Sequence, residues 1–130
     1  MPLLGRKELL FLKANELCRL ATVSADCIPQ VTPVIYAMDG ESIVVATDYG
    51  TKKLKNLRAN PKVSLVVDKY HPNKGVVIQG DCVIYEQGKE YLHLLKILFS
   101  KFEYYRKNPW KEGEAPILQI IPEKVKSWGL

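Results

Sequence analysis

A threonine and two lysines follow Gly50 in the middle of the chain, and their types and spacing suit an anion. Thr51 is a good N-cap residue, which places Lys52 and Lys53 in the first turn of a helix. Unpaired N–H groups give that turn roughly half a positive charge, so lysines there are unfavourable without an anion. N–H groups, a hydroxyl and two ammonium groups together bind phosphate well. We therefore predict a phosphate site here; the alternative is a solvated lysine face.

The net charge of +5 comes from the segment that begins with this site. Residues 51–74 contain seven basic side chains and one acidic side chain, Asp68, whereas the rest of the chain is close to neutral. A localised positive field indicates an anionic partner, either a small phosphate ligand or a nucleic acid.

The elements that must position this site follow from the apolar pattern. Short β-branched runs separated by turn residues predict strands at 20–23, 31–37, 42–47, 63–68, 76–85, 117–121 and 125–128. Helices are predicted around 9–17, at 51–60 and at 89–105. Pro29 and Pro33 allow the second strand only an edge or irregular pairing, Asp39-Gly40 indicates a hairpin, and Gly80 indicates a bulge. The prediction is a mainly β protein, an antiparallel Greek-key sheet curled into a small barrel with flanking helices.

Length and composition bound the remaining possibilities. The 130 residues, 47% hydrophobic and 25% charged, predict one globular domain over 1–130 and exclude a disordered chain. No apolar run approaches the ~20 residues that a membrane helix needs, and we expect no signal peptide. The chain has three cysteines, and their spacing is not that of a metal site: Cys18, Cys27 and Cys82. We expect each to be a reduced thiol that packs as a small buried hydrophobic residue, which indicates a cytoplasmic location.

Three elements in order carry a family resemblance over about residues 19–86. They are the opening strand RLATV, the PVIY strand with its Asp-Gly turn, and the run TDYGTKKLKNLRANPKV. In this order and spacing the sequence resembles the FMN-binding split β-barrel family, which includes pyridoxamine 5′-phosphate oxidase-like and flavin-reductase-like proteins. The resemblance implies a split β-barrel homodimer with FMN at the subunit interface. It also implies a flavin-dependent oxidoreductase that acts on a small-molecule redox substrate, without a catalytic side chain of its own.

The resemblance also assigns binding residues by position. It places the FMN phosphate on Thr51, Lys52 and Lys53, with Thr47 near the phosphoribityl chain. The isoalloxazine ring would lie along a strand, mainly on backbone groups and packed side chains, and Gln79 would add a polar contact. The strand residues are Thr32, Pro33, Val34, Ile35 and Tyr36. Trp110, Trp128 and Leu130 are further candidates to reach the partner's flavin.

Two departures from the family pattern concern the substrate. Val31 and Tyr36 stand where the vitamin-oxidising enzymes carry basic residues, and the C-terminal extension that those enzymes place on their substrate is not present. We therefore do not expect pyridoxamine phosphate oxidation.

The sequence is also compatible with other cofactors and with another class of protein. Within the same fold the cofactor could instead be a deazaflavin or haem, with His71 as the loop histidine, or the protein could be a non-catalytic flavin carrier. Outside it, a basic nucleic-acid-binding barrel would use the positive segment and the aromatic residues of 99–110. We favour a helix end packed on the barrel for those aromatic residues and ordinary packing or exposure for His93, and we predict no metal site.

Overall fold

One antiparallel sheet dominates the fold of residues 2–130, which this computed structural model describes. Its seven strands follow the order β2-β1-β5-β6-β7-β4-β3 and curl into a split barrel with helices against it, which confirms the predicted fold class. The strands are β1 Leu17–Val23, β2 Pro29–Ile35, β3 Ala37–Asp39, β4 Ser42–Ala46, β5 Lys62–Lys69, β6 Lys74–Tyr85 and β7 Ile117–Trp128. The helices are α1 Arg6–Ala14, α2 Lys52–Ala59, α3 Lys89–Lys101 and α4 Glu103–Lys107. None of the helices has the length and hydrophobicity to cross a bilayer.

Several boundaries differ from the predicted ones, and each has a local cause. Helix α1 ends at Ala14 because Asn15 turns extended and its side-chain amide donates to the Phe11 carbonyl at 2.7 Å. The strand predicted over 31–37 is divided at Tyr36, whose backbone N–H donates to Glu16 O at 2.9 Å. The predicted helix over 89–105 is broken at Phe102, which is extended and 6% exposed.

The bulge predicted at Gly80 is confirmed. The register between β6 and β7 shifts at Gln79/Gly80, and a Cβ on Gly80 would come within 2.1 Å of Ile121 O. Only glycine tolerates that approach. Because the bulge absorbs the irregularity, β7 runs without a break where the sequence predicted two strands.

Two groups of buried side chains stabilise the fold. The larger fills the barrel between the inner faces of the strands, with α1 and α2 packed on it; Leu20, Ile43, Leu65 and Ile78 are all at most 2% exposed. The smaller lies between α3 and the outer face of β3, β4 and β7, around Tyr91. Helix α3 therefore covers one half of the sheet, which leaves the outer face of the other half for the site.

Candidate functional site

The entrance of α2 is built as a capped turn directly after β4. The Thr51 hydroxyl oxygen accepts from the Leu54 N–H at 3.4 Å, so the predicted N-cap is confirmed. The same hydroxyl donates to Asp48 O at 3.1 Å, and its oxygen lies 3.2 Å from the hydroxyl of Thr47, which is 7% exposed. These contacts bring Thr47 and Thr51 together.

Two N–H groups of the first turn remain available to a ligand. Leu54 N–H is capped, and Lys55 N–H donates to Thr51 O at 3.2 Å. Within residues 2–130, the N–H groups of Lys52 and Lys53 have no acceptor, and no carboxylate lies within 4.0 Å of either ammonium group. The turn contains no acidic residue. Unused N–H groups beside two unpaired cations form a donor set that fits a dianionic phosphate.

Buried contacts fix this helix against the sheet. Leu54 and Leu57 are buried in the barrel core, and the Asn56 side-chain amide donates to the Thr22 hydroxyl of β1 at 3.0 Å. Both partners of that hydrogen bond are at most 2% exposed. The direction of the helix, and hence of its free N–H groups, is therefore set by β1.

One carboxylate modifies the local field. Asp26, in the turn between β1 and β2, accepts from the Ser24 hydroxyl at 2.6 Å. That hydrogen bond lowers the pKa of Asp26, with smaller contributions from the positive charges of Lys52 and Lys55. The turn thus lies within electrostatic reach of the α2 entrance, which the sequence did not indicate.

The strand residues assigned to the flavin ring do not share one face. Pro33 and Ile35 lie on the outer face of β2, whereas Thr32 and Val34 alternate to the inner face. Tyr36 is fully buried, and its hydroxyl donates to Leu12 O at 2.6 Å. Since β2 is an edge strand, half of its backbone groups lack a strand partner. Its surface offers a ligand mainly backbone groups and Pro33.

Gln79 belongs to a row that crosses the outer face. Val31 pairs with Ala21, Ala21 with Ser64, and Ser64 with Gln79. Val31 is 63% exposed, and Gln79 is also exposed. The row connects β2 with β6, with apolar residues on β2 and β1 and polar residues on β5 and β6. Sequence analysis named Gln79 but missed Ala21 and Ser64, which only the strand register identifies.

Sequence analysis also missed Gln30. Its side-chain oxygen is buried and has no hydrogen-bond partner within residues 2–130. Gln30 pairs with Thr22, which holds α2 through Asn56, so it lies on the inner face beside the α2 support. A polar residue at an inward position of an alternating strand is the signal that would have identified it.

The three C-terminal candidates are held within their own protomer. The Trp110 indole N–H donates to the Tyr91 hydroxyl at 3.0 Å, and its ring packs edge-on against Phe99 and Tyr105. The Trp128 indole N–H donates to Asn73 Oδ1 at 2.9 Å, and Leu130 packs on the barrel core. The aromatic residues near α4 thus form the packed cluster that we favoured, except for Tyr104, which is 66% exposed.

Two of the three cysteines are buried thiols that cannot act as nucleophiles at neutral pH. Burial raises the pKa of the Cys18 thiol to about 12 and that of Cys82 also to about 12, so both stay protonated at neutral pH. The expectation that every cysteine is buried is wrong for Cys27, which is exposed in the turn before β2. His71 is an exposed loop residue, and His93 Nε2 lies 3.2 Å from Asp39 Oδ2.

The curled antiparallel sheet and the capped, cationic helix entrance define a split-barrel protein. The sequence profile of the pyridoxamine 5′-phosphate oxidase family matches residues 6–129, and the chain therefore belongs to this family. No curated protein matches the sequence significantly.

Solved structures share the fold over nearly the whole chain. The heme storage protein from Vibrio cholerae is 17% identical, with a TM-score of 0.82 over 97% of this chain and 94% of that one. A conserved hypothetical protein from Mycobacterium tuberculosis is 22% identical, with a TM-score of 0.79 over 96% and 84%. An FAD-binding protein from Mesorhizobium loti is 26% identical, with a TM-score of 0.75 over 95% and 94%. The same fold thus occurs in proteins named for different ligands.

Proposed function

We propose that the protein binds FMN between two copies of the chain and acts as a flavin-dependent oxidoreductase. The observation that carries the proposal is the α2 entrance, where two N–H groups and two ammonium groups have no partner within residues 2–130. Thr51, Lys52 and Lys53 would hold the phosphate, with Thr47 beside it. The flavin supplies the redox chemistry, and the chain supplies position and charge.

A second copy of the chain would complete the site. The outer face of β1, β2, β5 and β6 exposes apolar side chains, among them Leu17 at 45% and Val31 at 63%. Exposed apolar patches of this kind mark interaction surfaces, and β2 leaves a sheet edge unpaired. An isoalloxazine ring against Pro33 would be open to water in one protomer, whereas a partner would cover it.

The charges favour a small phosphate ligand over a nucleic acid. Arg58 pairs with Glu86 at 3.2 Å, and Lys62 pairs with Asp81 at 2.9 Å and with Glu123 at 3.2 Å. Two of the seven basic side chains of 51–74 are therefore neutralised locally. Three of the five lysines of this segment that are left unpaired within residues 2–130 lie at the start of α2: Lys52, Lys53 and Lys55. Nucleic-acid binding would need a continuous basic surface with exposed stacking aromatics.

FMN titration tests the proposal directly. The double variant Lys52→Gln, Lys53→Gln should bind FMN about 10- to 100-fold more weakly, because charge-assisted hydrogen bonds to an anion contribute about 1.5–3 kcal/mol. The matched control Lys7→Gln, Lys69→Gln removes the same charge from exposed positions on α1 and β5 and should bind FMN nearly as the wild type does. Equal affinity of both variants and the wild type would refute the phosphate site.

Absorbance and turnover separate the remaining readings. Oxidised-flavin bands in the purified protein support flavin, a Soret band would indicate haem, and a deazaflavin is identified after its release. Oxidation of reduced nicotinamide with an electron acceptor then distinguishes an oxidoreductase from a carrier, which would bind flavin without turnover.

A further inference from the structure

A cavity lies between α1, β3 and α3. Its volume is ≈ 490 Å³, within the range of small-molecule sites. It shares no residue with the ten assigned to flavin. Its lining residues are Lys13, Ala37, Met38, His93, Lys96, Ile97, Ser100 and Lys101.

One stripe of α3 forms a wall of this cavity. His93, Lys96, Ile97, Ser100 and Lys101 follow the spacing i, i+3, i+4, i+7 and i+8, which places them on one helix face. Ala37 and Met38 of β3 lie opposite, and Ile97 packs with the smaller core cluster. The bottom of the cavity is thus apolar, and the polar atoms of its lining come from long side chains of α1 and α3.

The charge of the lining is positive. Three of its side chains are lysines and none is acidic. Two carboxylates lie beside His93: Asp39 and Glu90 have ligand atoms within 4.8 Å of it. His93 lies about 12 Å from Lys101 along the helix axis, at 1.5 Å per residue. The other end holds Lys13 and Lys101, and among residues 2–130 the one carboxylate whose charge acts on Lys101 there is Glu16.

Lys101 is fixed in place. Its ammonium group donates to Asn15 O at 2.6 Å and to Tyr36 O at 3.0 Å, and it lies 4.6 Å from the centre of the Tyr36 ring. An ammonium group has three N–H donors, and within residues 2–130 the third has no acceptor. Burial lowers the pKa of Lys101, while the charge of Glu16 raises it. An immobile, half-buried cation with a spare donor is a pre-organised partner for an anion.

We propose that this cavity binds an amphipathic organic anion, with its carboxylate, phosphate or sulfonate group at Lys13, Lys96 and Lys101 and its apolar body on Met38 and Ile97. This site shares no lining residue with the proposed flavin site, and Lys101 contacts a residue assigned to flavin only at Tyr36, which is fully buried. The alternative is that Lys13 and Lys101 only complement the C-terminal ends of α1 and α3, where cations are favoured.

Anilinonaphthalene sulfonate, which combines an aromatic body with a sulfonate group, is a suitable fluorescent probe. The titration is done with FMN present, so that the α2 entrance is occupied. We expect decanoate to displace the probe and decanol or decylammonium to displace it at least tenfold less effectively. Equal displacement by all three would show apolar adsorption and overturn the proposal.

Charge-matched variants localise the site. Lys13→Gln, Lys96→Gln should weaken probe binding about tenfold, whereas Lys7→Gln, Lys89→Gln removes two charges from the same two helices and should have little effect. Ser100→Trp, a change at an exposed lining residue, should block the probe by filling the cavity. If the first pair changes only stability, or both pairs act equally, the lysines are helix caps and the proposal is wrong. FMN affinity should stay unchanged throughout, so failure here is separate from failure of the flavin proposal.

Discussion

The outer face of the sheet is buried in one half and exposed in the other. In the half that α3 covers, β4 is buried on both faces, and Ile43, Val44 and Val45 are all 0% exposed. In the other half, β1 and β5 alternate: Leu20 is 1% exposed, while its neighbour Arg19 is exposed. A strand buried on both faces has a continuous apolar sequence, whereas a strand buried on one face alternates apolar and polar residues. The bare half is where a partner or a ligand can still be accommodated.

The largest change in the free energy of unfolding should follow from removing core volume between α3 and the half of the sheet that it covers. Leu94 is 0% exposed between α3 and the sheet, so Leu94→Ala removes core volume and should lower the free energy of unfolding by about 2–5 kcal/mol. Leu92→Ala, on the same helix but 46% exposed, should change it by less than about 0.5 kcal/mol. Urea titration measures both. Equal effects would mean that α3 does not seal this half.

A charge on the bare half should affect association more than folding. Val31→Glu places a carboxylate on a side chain that is 63% exposed, so the free energy of unfolding should change by less than about 0.5 kcal/mol. Burying that charge in a dimer should weaken association about 100-fold. Light scattering after size-exclusion chromatography gives the association state. Leu10→Glu, on α1 at 58% exposure, is the control, and a dimer unaffected by Val31→Glu would place the interface elsewhere.

Beneath the bare half, one buried hydrogen bond connects β1 with the helix that carries the phosphate site. Thr22→Val keeps the shape of the side chain but leaves the Asn56 amide without its acceptor. The free energy of unfolding should fall by about 1–3 kcal/mol, and FMN affinity should fall with it. Thr32→Val makes the same change on β2, where the hydroxyl forms no hydrogen bond within residues 2–130. Thermal unfolding of the two variants compares them, and an equal loss would contradict a specific role for Thr22.

The smallest expected effect is the change in the free energy of unfolding when a lysine of the α2 entrance is replaced in the apoprotein. Without cofactor, Lys52→Gln and Lys53→Gln should each leave stability unchanged or raise it by about 0.3–1 kcal/mol, because repulsion from the helix dipole is removed. Arg58→Gln in the last turn of α2 should have the opposite sign, since its charge is favourable there and pairs with Glu86. Denaturant titration of the apoprotein decides. A clear loss at Lys52 or Lys53 would mean that the lysines stabilise the fold and are not kept for a ligand.

Local sequence features predicted much of the fold and part of the candidate site. Alternation, Pro33 in an edge strand, the Gly80 bulge and the Thr51 cap depend on neighbours in sequence, and all four are found in the structure. The break at Tyr36 could not be predicted, because it depends on contacts with a distant segment: its backbone N–H donates to Glu16 O and its hydroxyl to Leu12 O.

By itself, the sequence determined the type of sheet, the cap of α2 and the concentration of charge beside it, because propensity, turn chemistry and charge are local properties. Only the tertiary structure decided which face each side chain of β2 occupies, which lysines stay unpaired, and how Val31, Ala21, Ser64 and Gln79 align. These depend on strand register and on contacts between distant segments. A one-residue slip in register moves every side chain of a strand to the opposite face.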